Sequence, residues 1–353
     1  MGRKKKFVLM AFLLDVVFCS CFILLLKNWT IPVVVNAVGF FCLVCILVVN
    51  KILVKSNWYK NLFADFEHER YPDNIWYRKH DERNFDLINL GSNCAKYAFD
   101  YSESNIKAMN WASGSQTLID DFKLVKNFHS ILKDGGTVLI TIMPFTSINK
   151  KVGFMDSFKF CGTLDSTLID EKYKRKCFLF RRFPVLFGKT AIKAFLKVIL
   201  GKDKRIITDL WKSDKNPMTE EELKNDAKRW IDGWKKQFNI SDLSAPLTLE
   251  NQTGRVVRIK VMQNLIDFCN ERGYKCVYVI PPVTKYLDEY FTDEFKENYI
   301  YDYLKQVNRS IPLLDFSNDN ELMDKDLYFN TYFLNRKGAK MFTGQVIKER
   351  ERI

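Results

Sequence analysis

The sequence predicts an α/β domain on a five-stranded parallel sheet with helices on both faces, carried behind a two-helix transmembrane hairpin. Two observations carry that prediction: two apolar blocks stand at the front of the chain, and from residue 85 short apolar runs alternate with helix-length segments. The composition agrees, because 353 residues that are 47% hydrophobic and 27% charged make neither a disordered tail nor a wholly lipid-buried transporter. With 15 Gly and 9 Pro the chain is not collagen-like or low-complexity, and enough apolar material remains for one sizeable core.

The first apolar block runs from Phe7 to Leu26 with one charge, Asp15, and the second from Ile31 to Asn50 with none. Each is long enough to cross roughly 30 Å of hydrocarbon as a helix. Only Lys27-Asn28-Trp29-Thr30 separates them, so residues 1–56 are expected to form a hairpin, with Trp29 suited to the interface. Arg3, Lys4, Lys5 and Lys6 before the first block and Lys51, Lys55 and Lys60 after the second put both ends, and the soluble domain, on the cytoplasmic side. The plainer alternatives are a cleaved signal followed by one span and a lipoprotein signal using Cys21; the sequence offers no small-residue cleavage site, and the apolar run continues past the cysteine. Asp15, alone in a span, points to contact with a partner membrane helix or to a place near a water defect. Cys94, Cys161, Cys177, Cys269 and Cys276 are odd in number and lack metal-ligand spacing, which fits reduced thiols facing the cytosol.

The net charge of +13 is concentrated between Lys172 and Arg205, where twelve Lys and Arg, among them Arg181 and Arg182, meet a single acid, Asp203. Within that stretch Lys189, Lys193 and Lys197 recur at every fourth residue of an otherwise apolar helix, Val185 to Leu200. That is the pattern of a helix lying in a membrane interface and drawn to anionic headgroups. The alternative is a core helix with three exposed lysines. Nucleic acid is not expected as a partner, since the apolar face is wide and no recognised nucleic-acid motif accompanies it.

A polar, aromatic-rich connector, 57–84, leads to the domain at 85–353. Its expected strands are Phe85 to Leu90, Ile106 to Trp111, Thr137 to Phe145, Cys276 to Ile280 and Pro312 to Phe316. Helices are expected at Cys94 to Tyr101, Thr117 to Leu132, Gly254 to Arg272, Asp293 to Gln306 and from Arg336 onward. Residues 146–245 break the rhythm and form a basic, partly helical insertion. In such sheets ligands sit at the carboxyl ends of strands near the topological switch point. Here those ends include Gly91-Ser92-Asn93 and Trp111 to Gly114.

Asn89-Leu90-Gly91-Ser92-Asn93 after the first strand, with Leu334-Asn335-Arg336-Lys337-Gly338-Ala339 before the last helix, resembles the first and last motif blocks of the SGNH/GDSL hydrolase superfamily. The bacterial members associated with cell-surface polysaccharide assembly look most similar. The resemblance implies a flavodoxin-like three-layer sandwich and, for an active member, an esterase or O-acyltransferase. It also implies a nucleophilic Ser third in the turn and an Asp-x-x-His pair before the last helix. This chain departs at each of those places: Asn93 is third with Ser92 second, Phe333 stands where His is expected, and Asn330 where Asp is expected. A serine without a base within hydrogen-bond reach is a poor nucleophile.

The residues placed to bind are Gly91 and Asn93 in the turn, Asn110, Gly114 and Gln116 along the crevice, Trp111 to stack on a sugar ring, and Asn330, Phe333 and Asn335 from the last block. Ser92 is the weak candidate nucleophile, and Cys94 has no basic neighbour in sequence to activate it. The ordinary readings are an N-cap for Ser92 or Asn93 and a core residue for Trp111. No phosphate loop, GxGxxG, HExxH or soluble CxxC appears, so neither a cofactor nor a metal is expected. Two functions stay open: an enzyme of altered mechanism acting on an acyl ester or acyl-carrying glycan, and a non-catalytic protein that binds glycan or scaffolds a membrane partner.

Overall fold

The structure, a computed structural model, describes residues 16, 20, 30–64, 84–148, 153–205, 207–211 and 218–353. In chain order the principal elements are α1 (Thr30–Lys55), β1 (Phe85–Leu90), α2 (Asn93–Ala98), β2 (Ala108–Asn110), α3 (Leu118–Phe128) and β3 (Leu132–Thr141). There follow α4 (Glu171–Arg182), α5 (Lys189–Ile199), α6 (Glu220–Phe238), α7 (Leu249–Asn270), β4 (Lys275–Ile280), β5 (Leu313–Asp315) and α8 (Arg336–Arg350). The chain divides into two compact units, Met1–Lys60 with Leu179–Lys204 and Asn61–Phe178 with Arg205–Ile353.

The larger unit holds a five-stranded, all-parallel sheet in the order β2-β1-β3-β4-β5. β1, β4 and the part of β3 from Gly136 onward are buried almost throughout, as parallel strands covered on both faces must be. Leu87, Leu139, Val277 and Val279 from the sheet meet Ala339, Phe342 and Val346 of α8 in one core. Because β1 has β2 on one side and β3 on the other, the chain reverses its winding there, and a crevice opens at the carboxyl ends of β1 and β3.

Local signals explain most element ends. Thr117 caps α3 and Thr219 caps α6, each in a reciprocal capping box with the acid three residues on, Asp120 and Glu222. Asn335 caps α8 by accepting from Gly338 N. A side chain at Gly338 would collide with the Leu327 carbonyl, so this glycine lets α8 approach the preceding segment. β3 begins five residues earlier than the apolar run suggested: Leu132 pairs with Phe85 before the register shifts, and the Gly135-Gly136 pair lies inside the strand as an irregularity. The expected helix after Asp293 is instead Asp293–Lys296, a π-helical turn Glu297–Tyr301, and Asp302–Val307.

The two-span hairpin is corrected. Among the described residues one helix, α1, is long and apolar enough to cross a membrane, with a mean hydropathy of 2.7 over its apolar window. At about 1.5 Å per residue its 26 residues reach roughly 39 Å, enough for one crossing. The structure thus supports one span, not a two-span anchor, and the sidedness that rested on two spans goes with it. Apart from Val16 and Ser20, the block Phe7 to Leu26, with Asp15, lies outside the described residues.

In the smaller unit Leu53 of α1 is buried against Ala191 and Ala194 of α5, with Phe187 and Trp58 packed beside them. Polar contacts fix the arrangement: Val185 N donates to Asn50 Oδ1 (3.0 Å), Tyr59 OH to the Arg181 carbonyl (2.7 Å), and Asn57 N to the Asp203 carboxylate (2.7 Å). The one acid of the basic stretch is therefore structural.

Candidate functional site

The crevice is occupied by a cleft of about 230 Å³. Its floor comes from the turn after β1 (Ser92, Asn93, Cys94), the loop entering α3 (Ser115 to Leu118), and Thr141 at the end of β3. Its walls come from Phe145 and Ile148, from Trp230, Trp234 and Phe238 of α6, from Arg258 of α7, and from Tyr332 and Phe333. The first and last motif segments thus meet across one cleft.

Gly91 makes the turn possible. Its φ is +133°, and a Cβ there would lie 2.7 Å from Ala95 Cβ and 3.3 Å from Thr141 Cβ. The turn is pinned on both sides, since Gly91 N donates to Asp121 Oδ1 (3.1 Å) and Ser113 N to the Gly91 carbonyl (3.2 Å). Ser92 caps α2 without a side-chain bond, and its Oγ is not hydrogen-bonded to any described residue.

Of the sequence-derived site residues, Ser92, Asn93, Gln116 and Phe333 line the cleft. Trp111 does not stack on anything entering it. The residue is 0% exposed, its backbone N–H extends the β2 ladder to the Asn89 carbonyl, and its Nε1 donates to Met109 Sδ. Asn110 lies behind the cleft, where its Nδ2 donates to the carbonyls of Lys96 and Phe99 (both 3.1 Å) and its Oδ1 accepts from Asn89 Nδ2 and Ala112 N (both 3.0 Å). The Gly114 carbonyl accepts from Lys159 Nζ (2.6 Å). Asn330 Oδ1 accepts from Tyr332 N (2.9 Å) and Phe333 N (2.7 Å), while Asn335 caps α8. These asparagines shape backbone and do not face a ligand.

Phe333 sits among rings, stacked on Tyr97 at 4.9 Å and edge-on to Trp230 at 5.5 Å. The one histidine among the described residues, His129, stands before β3, at the end of the strand opposite Thr141, and Tyr274 OH donates to its carbonyl (3.1 Å). His68 and His80 lie outside the described residues. Burial pushes the Cys94 thiol up to about 12, which leaves it no thiolate to attack with near neutral pH. Among the described residues no group of His, Cys, Asp or Glu is arranged to hold a metal ion.

One carboxyl lines the cleft, that of Asp121. Burial, opposed by hydrogen bonds from Gln116 and Gly91, pushes it up to about 7. Its Oδ1 accepts from Gln116 Nε2 (2.7 Å) and Gly91 N (3.1 Å), and neither contact involves Ser92.

The residues that sequence reasoning missed are Asp121, Thr141, Trp230, Trp234 and Arg258. Two signals were available. Trp230 and Trp234 are one helical turn apart on an amphipathic helix of the segment read as an insertion. Continued backward, the buried stripe Met262, Leu265, Ile266 and Cys269 of α7 reaches Arg258 and Arg255, charged residues in core positions.

A second candidate surface belongs to the smaller unit. At about 100° per residue, α5 has three faces. Ala191 and Ala194 pack inward, with Phe195 beside them. Ile192, Leu196 and Ile199 form an open apolar face, 56%, 51% and 59% exposed. Lys189, Lys193 and Lys197 form the third face. These lysines, with Arg181 and Arg182, are exposed, and among the described residues none of the five is in an ion pair.

No protein-family model matches this chain, and no curated protein matches it either.

Proposed function

We propose that this chain is a membrane-anchored, SGNH-hydrolase-like protein of cell-surface polysaccharide assembly, whose cleft binds a glycan or acylated glycan without hydrolysing it. The observation that carries the reading is the meeting of the Gly91 turn with Phe333 in one cleft where Ser92 Oγ is hydrogen-bonded to no base among the described residues. The shape in which that superfamily binds its substrates is retained, and an aromatic ring stands where the proton acceptor would be. Hydrolysis through an activated serine needs both groups at once. Trp230, Trp234 and Phe145 give the cleft a ring-lined wall, which suits the apolar face of a sugar.

Anionic lipid is the second partner in this reading. The open apolar face of α5 and its unpaired lysines match an interfacial helix, and α5 packs on α1, the helix with the length and hydropathy of a span.

The test is labelling of the full-length protein, held in lipid nanodiscs, with a fluorophosphonate serine probe alongside a glycan-binding screen. Binding without Ser92-dependent labelling is the expected result, and Ser92-dependent labelling overturns it. One observation favours an enzyme of altered mechanism, namely the Asp121 carboxyl that titrates near neutrality in the cleft. In that case labelling would rise with pH through the Asp121 titration and vanish in Asp121→Asn.

A further inference from the structure

Four side-chain atoms in residues lining the cleft are buried and have no hydrogen-bond partner: Gln116 Oε1, Thr141 Oγ1, Trp230 Nε1 and Arg258 Nε. Buried polar groups are ordinarily satisfied, and where orphans gather at one cavity a bound group can complete them. Arg258 is the most telling of the four. It is 2% exposed, and among the described residues its guanidinium makes no hydrogen bond and no ion pair.

Arg255, three residues earlier on the same helix, shows the contrast. Its Nε is likewise without a hydrogen-bond partner, but its two terminal nitrogens donate to the Asn298 carbonyl and to the Asp302 carboxylate (3.2 Å). Arg258 has Asp120 and Asp121 acting on it only from beyond contact, and both carboxyls are engaged elsewhere. Asp120 Oδ2 accepts from Thr117 N (3.0 Å) and Thr117 Oγ1 (2.7 Å), and Asp121 Oδ1 accepts from Gly91 and Gln116. A guanidinium stays charged even when buried, so Arg258 holds a positive charge in the cleft wall without a contacting counter-ion.

The other orphans set the chemistry of what is missing. Trp230 Nε1 and Arg258 Nε only donate, Thr141 Oγ1 can donate, and Gln116 Oε1 alone only accepts. A surplus of donors around a fixed cation is suited to an oxyanion. Trp234 and Phe145 beside them supply a ring-lined wall, and about 230 Å³ is small for a ligand pocket, so one sugar unit fits better than an oligomer.

We propose that the cleft takes a single anionic sugar unit, carrying a carboxylate or a phosphate, whose charged oxygens are held by Arg258 with Trp230 Nε1 and Thr141 Oγ1. The proposal rests on the reading of the cleft as a glycan site and gives it a substrate class.

Calorimetric titration of the full-length protein, in a nonionic detergent without a sugar headgroup, separates the possibilities. The probes are glucuronate, glucose 1-phosphate, glucose and inorganic phosphate. At least one anionic sugar should bind tenfold or more tightly than glucose, and Arg258→Met should remove that gap. Equal binding of glucose and both anionic sugars, or a gap that survives Arg258→Met, overturns the charge recognition alone. Inorganic phosphate binding as tightly as glucose 1-phosphate overturns the sugar component. No binding of any sugar overturns this inference and the glycan reading together.

A thermal melt of the ligand-free protein guards against a purely structural Arg258. Arg258→Met should raise the melting temperature, because it removes an unpaired buried charge, whereas Arg255→Met should lower it. A fall in Arg258→Met as large as that in Arg255→Met would show that Arg258 holds the fold, and would overturn the proposal.

Discussion

Behind the end of β1 the side chains of Asn89, Asn110 and Tyr101 close on one another, whereas in the adjoining cleft those of Gln116, Thr141, Trp230 and Arg258 do not. In the first cluster Asn110 has its donors and its acceptor engaged, and Asn89 Oδ1 accepts from Tyr101 OH (3.0 Å). In the second each of the four residues retains an unmatched buried atom. Both clusters lie at the carboxyl end of one sheet and use similar chemical groups. The difference teaches that polarity at a strand end does not by itself mark a binding site. A complete network fixes the fold, and an incomplete one waits for a partner.

The comparison breaks most visibly at its complete side. Asn110→Ala should leave Asn89 Nδ2 and Ala112 N without their acceptor and the carbonyls of Lys96 and Phe99 without a donor, at a cost of about 5 kcal/mol. Thermal or denaturant unfolding in detergent reads the loss, and a change below about 1 kcal/mol would mean that the network is not closed.

Next in size is the pH dependence set by Asp121. Its folded-state value, about 7, lies above the unfolded value near 3.8, so the folded protein binds the proton more tightly. The stability that this group contributes is therefore fullest below pH 4, declines as pH rises toward 7, and is level above that. Over about three pH units the decline amounts to about 4 kcal/mol. Asp121→Asn keeps an oxygen for Gly91 N and Gln116 Nε2 and should flatten most of this slope. Asp120, also raised by burial, leaves a residual one. A slope between pH 4 and pH 7 that is the same in wild type and Asp121→Asn would contradict the assignment.

A smaller effect is expected on α5. Lys193→Gln should weaken its attraction to an anionic bilayer by about 1 kcal/mol. Hydrogen exchange of residues 189–199 in nanodiscs reports it. Protection should be greater with phosphatidylglycerol present than with phosphatidylcholine alone, the variant should lose part of that difference, and salt should reduce it. Protection indifferent to lipid charge would leave α5 an ordinary surface helix.

Much of the sheet was legible because it follows local rules. β1 runs from Phe85 to Leu90, as its apolar run and Gly91 implied, and α8 starts at Arg336 behind the Asn335 cap. Where local rules compete the reading slipped. The expected strand began at Thr137, after the Gly135-Gly136 pair, yet Gly135 takes a positive φ inside β3 while the ladder shifts register around it. The candidate site was legible in its backbone and not in its side chains. The turn at Gly91 and the Phe333 segment do meet, but Trp111 continues the β2 ladder and points into the core. Residues 141, 230, 258 and 333 are far apart in sequence, and only tertiary packing brings them to one cleft. Charged residues on the apolar stripe of α7 were the one local trace of this, visible as a conflict between pattern and residue type.

The central claim is that the cleft keeps a binding shape while Ser92 is hydrogen-bonded to no base among the described residues. The most direct test is the rate at which the full-length protein in nanodiscs hydrolyses p-nitrophenyl acetate, compared with Ser92→Ala. The account predicts rates indistinguishable from each other and from empty nanodiscs across pH 6 to 9. A wild-type rate well above background that Ser92→Ala abolishes would contradict it.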